Sequence, residues 1–242
     1  MHPVVVDRIA GFTGRSPFRN GIDVACGTGQ SATALKQICD HVTATDISRE
    51  MLAQARTDTD ISYLRCAAEQ LPLAADVFDI MTVGLAFHWF DRDPFLKEAF
   101  RVLDAGGWLI LYQNFFYGAM KDNPKFEDWM NTEYLSKYPV PPRDGSPFTA
   151  KDGEKYGFSF AAEENYTSDV DFTALQLTNY LSTQTNMIEA IESKQISIQD
   201  ALTWLEAQIG NLFVGNSATF SFGGWIIYMR KEPRQHIYSV AR

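Results

Sequence analysis

The chain has 242 residues, 45% of them apolar, enough for one α/β domain with an elaboration or a domain and a half. A formal net charge of −9, with no run of Lys and Arg, argues against a nucleic-acid substrate, because neutralising phosphates needs a basic face. No stretch approaches the roughly 20 apolar residues of a membrane span, the start does not read as a signal peptide, and Cys26, Cys39 and Cys66 form neither an even framework nor a CxxC pair, so a cytoplasmic chain with reduced thiols is expected.

In chain order, short apolar runs alternate with amphipathic ones, the pattern of βαβ units around a parallel sheet. Gly21–Ala25 reads as a buried strand, Gly27-Thr28-Gly29 as a turn, and Ser31–Ile38 as a helix. A second strand is expected over His41–Thr45, then a helix over Ser48–Ala55 with Ser48 as N-cap. Strands follow over Ile61–Cys66 and Phe78–Val83. A helix then starts at Asp93-Pro94, with Asp93 as N-cap, and its apolar face is Phe95, Leu96, Ala99, Phe100, Val102 and Leu103. Gly106-Gly107 stops it, and Trp108–Tyr112 is the fifth strand.

Beyond Tyr112 the pattern changes. Gln113–Phe160 is rich in aromatics, broken by Pro139, Pro141, Pro142 and Pro147, and carries one expected helix over Lys121–Tyr138. An irregular strand near Asn165–Phe172, a helical stretch over Met187–Ile209 and a last strand over Gly224–Arg230 complete the reading. Phe126, Met130 and Tyr134, at helical spacing, are expected to fill core rather than touch ligand.

The segment Ile22-Asp23-Val24-Ala25-Cys26-Gly27-Thr28-Gly29-Gln30 joins a strand to a helix through a glycine turn. Such a turn permits positive φ, bares the backbone to a ligand, and aims N–H groups at a negative charge. That charge is a pyrophosphate in a dinucleotide enzyme and the methionine carboxylate in an S-adenosylmethionine (AdoMet) enzyme. Gly27 to Ala32 also fits the permissive GxGxxA fingerprint, and Asp46 suits a ribose diol in either cofactor, so the turn alone leaves both open.

Four motifs in register carry a resemblance. Asp23 to Gly29 resembles motif I of the class I AdoMet-dependent methyltransferases, and Ala67-Ala68-Glu69-Gln70-Leu71-Pro72 resembles that family's third-strand element. Phe78 to Val83 resembles its fourth strand, and Arg101-Val102-Leu103-Asp104-Ala105-Gly106-Gly107 its R-V-L-x-P-G-G turn, with Ala105 where Pro is usual. Phe87-His88-Trp89-Phe90-Asp91 resembles the HWFD loop of the type 11 group, which includes trans-aconitate methyltransferase-like proteins.

The resemblance implies a Rossmann-like, seven-stranded, mostly parallel sheet of order 3-2-1-4-5-7-6, its last strand antiparallel, flanked by helices. It also implies a cofactor-binding core over 1–112, a substrate lid over 113–160 inserted after strand 5, and completion of the core over 161–242. The cofactor is AdoMet and the product S-adenosylhomocysteine. Carried over, Gly27 and Gly29 lie against the methionine part, with Asp23 near its ammonium and Ala25 among the cofactor-binding residues. Asp46 takes the ribose hydroxyls, Ile47 and Met51 pack on the adenine, and Ala68 and Glu69 flank its edge. Leu85, Ala86 and His88 stand where sulfonium and substrate meet, with Trp89 beside them. Arg143, in the proline-rich loop, reads either as a carboxylate clamp or as a solvated side chain.

His88 is the candidate catalytic base, set against a structural role with Trp89. A carboxylate acceptor is ionised at neutral pH and needs no base, whereas a phenol, amine or carbon acid benefits from one. The expected partner is a small molecule, with neither nucleic acid nor membrane, on a monomer or homodimer. Histidine and cysteine spacing suggests no metal site. Two rivals are an NAD(P)-dependent oxidoreductase, which leaves Ala67–Pro72 and Phe87–Asp91 unexplained, and a non-catalytic AdoMet-binding protein.

Overall fold

In a computed structural model, which describes residues 2–55, 60–141 and 148–233, the alternating runs become seven strands and their connecting helices. The first unit opens with α1 (His2–Thr13), β1 (Phe18–Val24), α2 (Gln30–Leu35), β2 (Cys39–Asp46), α3 (Arg49–Gln54), β3 (Ile61–Arg65) and β4 (Phe78–Gly84). A single 3-10 turn (Phe87–Trp89) leads into α4 (Arg92–Val102) and β5 (Leu103–Met120). Later come α5 (Lys125–Trp129), a π-helical turn (Met130–Tyr134), α6 (Leu135–Lys137), α7 (Ala150–Glu154) and β6 (Phe158–Phe172). Last are α8 (Ala174–Ser182), α9 (Thr185–Glu192), α10 (Ile198–Gly210) and β7 (Ala218–Lys231).

The strands form one sheet in the order β3-β2-β1-β4-β5-β7-β6, as the resemblance implied. β2, β1, β4 and β5 run parallel, with Asp23 opposite Ala44 and Thr82, and Gly84 opposite Tyr112. β7 runs against both neighbours: Arg230 Nε donates to Gly106 O while Lys121 N–H donates to Thr219 O, and Ser159 and Asp171 bond Arg230 and Thr219 in the reverse order. Parallel strands bury both faces and therefore carry near-continuous apolar runs. Ile22, Val24, Ile80, Met81, Val83, Leu109, Ile110 and Leu111 are accordingly buried, and Phe95, Leu96, Ala99 and Val102 of α4 pack in the same core as several of them.

Several boundaries differ from the sequence reading. α1 lacks a capping signal and is rich in β-branched valines, yet burial of Val5, Val6 and Ile9 on one face overrides that propensity. α4 begins two residues earlier than expected, with Asp91 at its N-cap. Asp93 and Pro94 lie inside the first turn, where a missing N–H costs nothing, and Asp93 instead pairs with Lys155 at 3.1 Å. Gly106 and Gly107 fall within β5, because the register against β4 jumps from Phe78↔Leu103 to Ile80↔Trp108 and loops the glycines out as a bulge. β5 then runs on to Met120, beyond the expected end at Tyr112. The single helical stretch over 187–209 is two helices, parted where Lys194 takes φ 60° and Ser197 caps α10 by accepting from Asp200 N–H.

Among the described residues, contacts divide the chain into a unit of residues 2–114, 148–165 and 224–233 and a second of 115–141 and 166–223. The second unit has an aromatic core. Phe126, Met130, Tyr134 and Phe220 are buried, Phe116 packs against Phe222, and the Tyr134 hydroxyl donates to Leu181 O at 3.1 Å. No helix among the described residues is long and apolar enough to cross a membrane.

Candidate active site

The glycine turn leaves β1 through three residues with left-handed backbone: Ala25 (φ 57°), Gly27 (φ 55°) and Gly29 (φ 79°). The two glycines are not equivalent. A Cβ on Gly27 would meet nothing within 4 Å, so its face is open to a ligand. A Cβ on Gly29 would stand 2.5 Å from the hydroxyl of Tyr63 on β3, so the bare backbone there seats a side chain of the protein itself. Ala25 holds a left-handed conformation with a Cβ, a local strain of about 1 kcal/mol or more.

Asp46, at the end of β2, fastens that turn. Its Oδ2 accepts from Gly27 N–H and its Oδ1 from Ser48 N–H, both at 2.8 Å. Asp23 lies deeper. It is fully buried, its Oδ2 accepting from Ser31 Oγ at 2.5 Å and its Oδ1 from Thr82 Oγ1 at 2.8 Å, so it ties β1 to α2 and β4. Burial raises its carboxyl to about 6, against the pull of those two hydroxyls. Burial likewise pushes the Cys26 thiol up to about 12, so it is a packed thiol and not a nucleophile.

Around the turn, large apolar side chains stand in solvent. Ile47 after β2 is 66% exposed, Trp89 after β4 is 67%, and Met51 and Leu85 are exposed beside them in sequence. Leu85 also takes left-handed backbone (φ 61°), its N–H bonded to Tyr112 O at 3.0 Å. Two neighbouring parallel strands thus both leave the sheet through strained non-glycine residues, a feature that clusters at functional sites. Ala86 is buried, and His88 is half-buried with its ring 4.7 Å from that of Trp89.

The loop after β3 is clamped from α4. Arg101 donates to Leu73 O at 2.7 Å and Leu71 O at 2.8 Å, while Glu98 accepts from Leu71 N–H at 2.9 Å and pairs with Arg101 at 2.7 Å. Glu69 accepts from Asp91 N–H at 3.0 Å, and Ala68 is buried. The sequence reading named Ala68 and Glu69 but not this clamp, which an i,i+3 acid–base pair on a helix face could have signalled. It also missed Tyr63, Thr82, Ser31 and His2, which no local motif marks.

The structure therefore sets Ala25, Gly27, Gly29, Asp46, Ile47, Leu85 and Ala86 at the carboxyl ends of β1, β2 and β4, with Asp23 inside the sheet. Arg143 lies outside the described residues. Among those described, no cluster of His, Cys, Asp and Glu could hold a metal ion. A cavity of about 290 Å³ lined by Gly106, Arg230, Lys231, Glu232 and Pro233 lies at the amino-terminal part of β5, away from these residues.

Residues 22–111 match a family model described as a methyltransferase domain. Over 103 residues the chain is 41% identical to malonyl-[acyl-carrier protein] O-methyltransferase from Pectobacterium atrosepticum, covering 42% of this chain and 40% of that protein. It is 33% identical over 110 residues to the ubiquinone/menaquinone biosynthesis C-methyltransferase of Agrobacterium fabrum, covering 41% and 42%. The chain spans less than half the length of the curated relatives it matches. Among solved structures, a candidate type II methyltransferase from Anaeromyxobacter dehalogenans aligns over 95% of both chains with a TM-score of 0.69 and 18% identity, a likeness of fold.

Proposed function

We propose, on the premise that residues 22–111 belong to the class I methyltransferase family, that this chain binds AdoMet and transfers its methyl group to a small-molecule acceptor. One observation carries the reading. The carboxyl ends of adjacent strands β2, β1 and β4 bring an open left-handed glycine, a carboxylate and exposed apolar side chains to the edge where open α/β sheets bind ligands.

In this reading Ala25 and Gly27 form the wall for the methionine part, Gly29 keeps the turn closed against Tyr63, and Asp23 holds the turn from beneath and sets a negative field towards the ammonium. Asp46 keeps lone pairs for the ribose hydroxyls beyond its two backbone bonds. Ile47 and Met51 lose their exposure under the adenine, and the clamp of Glu98 and Arg101 fixes Ala68 and Glu69 at its edge. Leu85, Ala86, His88 and Trp89 border the reacting atoms.

Bound AdoMet supplies an already electrophilic methyl group, so the residues of the chain chiefly align the acceptor in line with the departing sulfur and exclude water. The acceptor we infer is a carboxylate oxygen. Likeness to a protein named as an O-methyltransferase supports it, and an ionised carboxylate asks no base of His88. Incubation with methyl-labelled AdoMet and a panel of small carboxylic acids, phenols and amines tests the proposal. Label in a carboxylate ester with stoichiometric S-adenosylhomocysteine is expected. AdoMet binding without turnover on any acceptor would leave the non-catalytic reading in its place.

A further inference from the structure

The first residue of α1 reaches the carboxyl edge of the sheet. His2 Nδ1 lies 2.8 Å from the hydroxyl of Tyr112, with the two rings edge to face at 5.9 Å. Tyr112 is itself nearly buried, and its ring fills the place a Cβ on Gly84 would take, 2.4 Å from that position, immediately before the strained Leu85. Tyr112 pairs with Gly84 in the sheet, so the hydroxyl stands where β4 ends and the candidate acceptor-binding residues begin.

A phenol is the better donor and an sp² imidazole nitrogen the better acceptor, so the shared proton belongs to Tyr112 and is given to Nδ1. That bond fixes the tautomer, leaving the ring proton of His2 on Nε2. His2 is partly exposed where Tyr112 is not, so the imidazole is the group of the pair a ligand can reach.

We propose that His2 binds the methyl acceptor, its Nε2–H donating to an oxygen of a carboxylate substrate, with Tyr112 as the positioning residue that holds the tautomer. This rests on the AdoMet-dependent reading above. Burial holds His2 down to about 4, so at neutral pH the donor carries no charge. A neutral donor orients one carboxylate oxygen while leaving the other nucleophilic; an imidazolium would withdraw more of the charge that must attack the methyl group.

The test compares wild type with His2→Leu, His2→Gln and Tyr112→Phe, reading S-adenosylhomocysteine affinity by calorimetry and acceptor KM and kcat with malonate, succinate, citrate and aconitate. His2→Leu is expected to raise acceptor KM about tenfold with kcat and S-adenosylhomocysteine affinity little changed, the loss of one hydrogen bond to a charged group. His2→Gln, whose amide N–H replaces Nε2–H, is expected to restore most of it, and Tyr112→Phe to give a smaller rise. Unchanged KM in His2→Leu, or equal loss in His2→Gln, overturns the proposal. So does a wild type that binds S-adenosylhomocysteine yet neither turns over nor binds any of the four acids. A wild type that does not bind S-adenosylhomocysteine at all fails the underlying reading instead.

Discussion

Substituting the two turn glycines separately distinguishes ligand contact from internal packing. Both are left-handed, so an alanine at either costs about 1–2 kcal/mol of backbone strain, offset by about 0.4–1 kcal/mol from the lower entropy of the unfolded chain. Gly27→Ala meets nothing further and should destabilise by only about 1 kcal/mol, while placing a methyl on the face left open to the cofactor. Gly29→Ala carries the same backbone cost plus a Cβ 2.5 Å from the Tyr63 hydroxyl, an overpacking of about 1–3 kcal/mol. Thermal unfolding, at roughly 2–4 °C per kcal/mol for a chain of this size, should therefore show Gly29→Ala as the less stable variant. Adding Tyr63→Phe should recover part of that loss. Calorimetry with S-adenosylhomocysteine should show the opposite ranking, with Gly27→Ala losing at least about tenfold in affinity. Equal losses of affinity in the two variants, or no recovery with Tyr63→Phe, would refute this division of roles.

Asp23 is raised from an unfolded value of 3.8 to about 6, so its carboxyl favours the folded state when protonated. That contribution is fully present below about pH 4 and is lost as pH rises through about 6; two pH units correspond to ~3 kcal/mol. Asp23→Asn should flatten this part of the stability–pH profile measured by denaturant unfolding, and an unchanged profile would contradict it. Arg101→Lys cannot reproduce the fork that reaches Leu71 O and Leu73 O together, and should destabilise by about 1–2 kcal/mol in the same assay while weakening S-adenosylhomocysteine binding through the adenine-edge loop.

The first five strands were legible because each is a short apolar run ended by a turn signal, and their order followed from motifs in register. What escaped was decided by contacts between distant residues. The valines of α1 disfavour helix locally and are helical because Val5, Val6 and Ile9 are buried. The extension of β5 to Met120 crosses an aromatic-rich segment with no strand alternation of its own. At the site, the glycine turn and Asp46 announced themselves, whereas the seating of Tyr63 on Gly29, the Thr82 and Ser31 bonds to Asp23, and the His2–Tyr112 pair join residues 8 to 110 positions apart. No spacing rule finds such pairs before the sheet order places them together.

The most direct test of the account is calorimetric titration of the protein with S-adenosylhomocysteine and, separately, with NAD, using Asp46→Ala as control. The account predicts binding of S-adenosylhomocysteine alone, weakened at least about tenfold when the carboxylate that holds Gly27 and Ser48 is removed. Binding of NAD in preference, or S-adenosylhomocysteine affinity indifferent to Asp46, would contradict it.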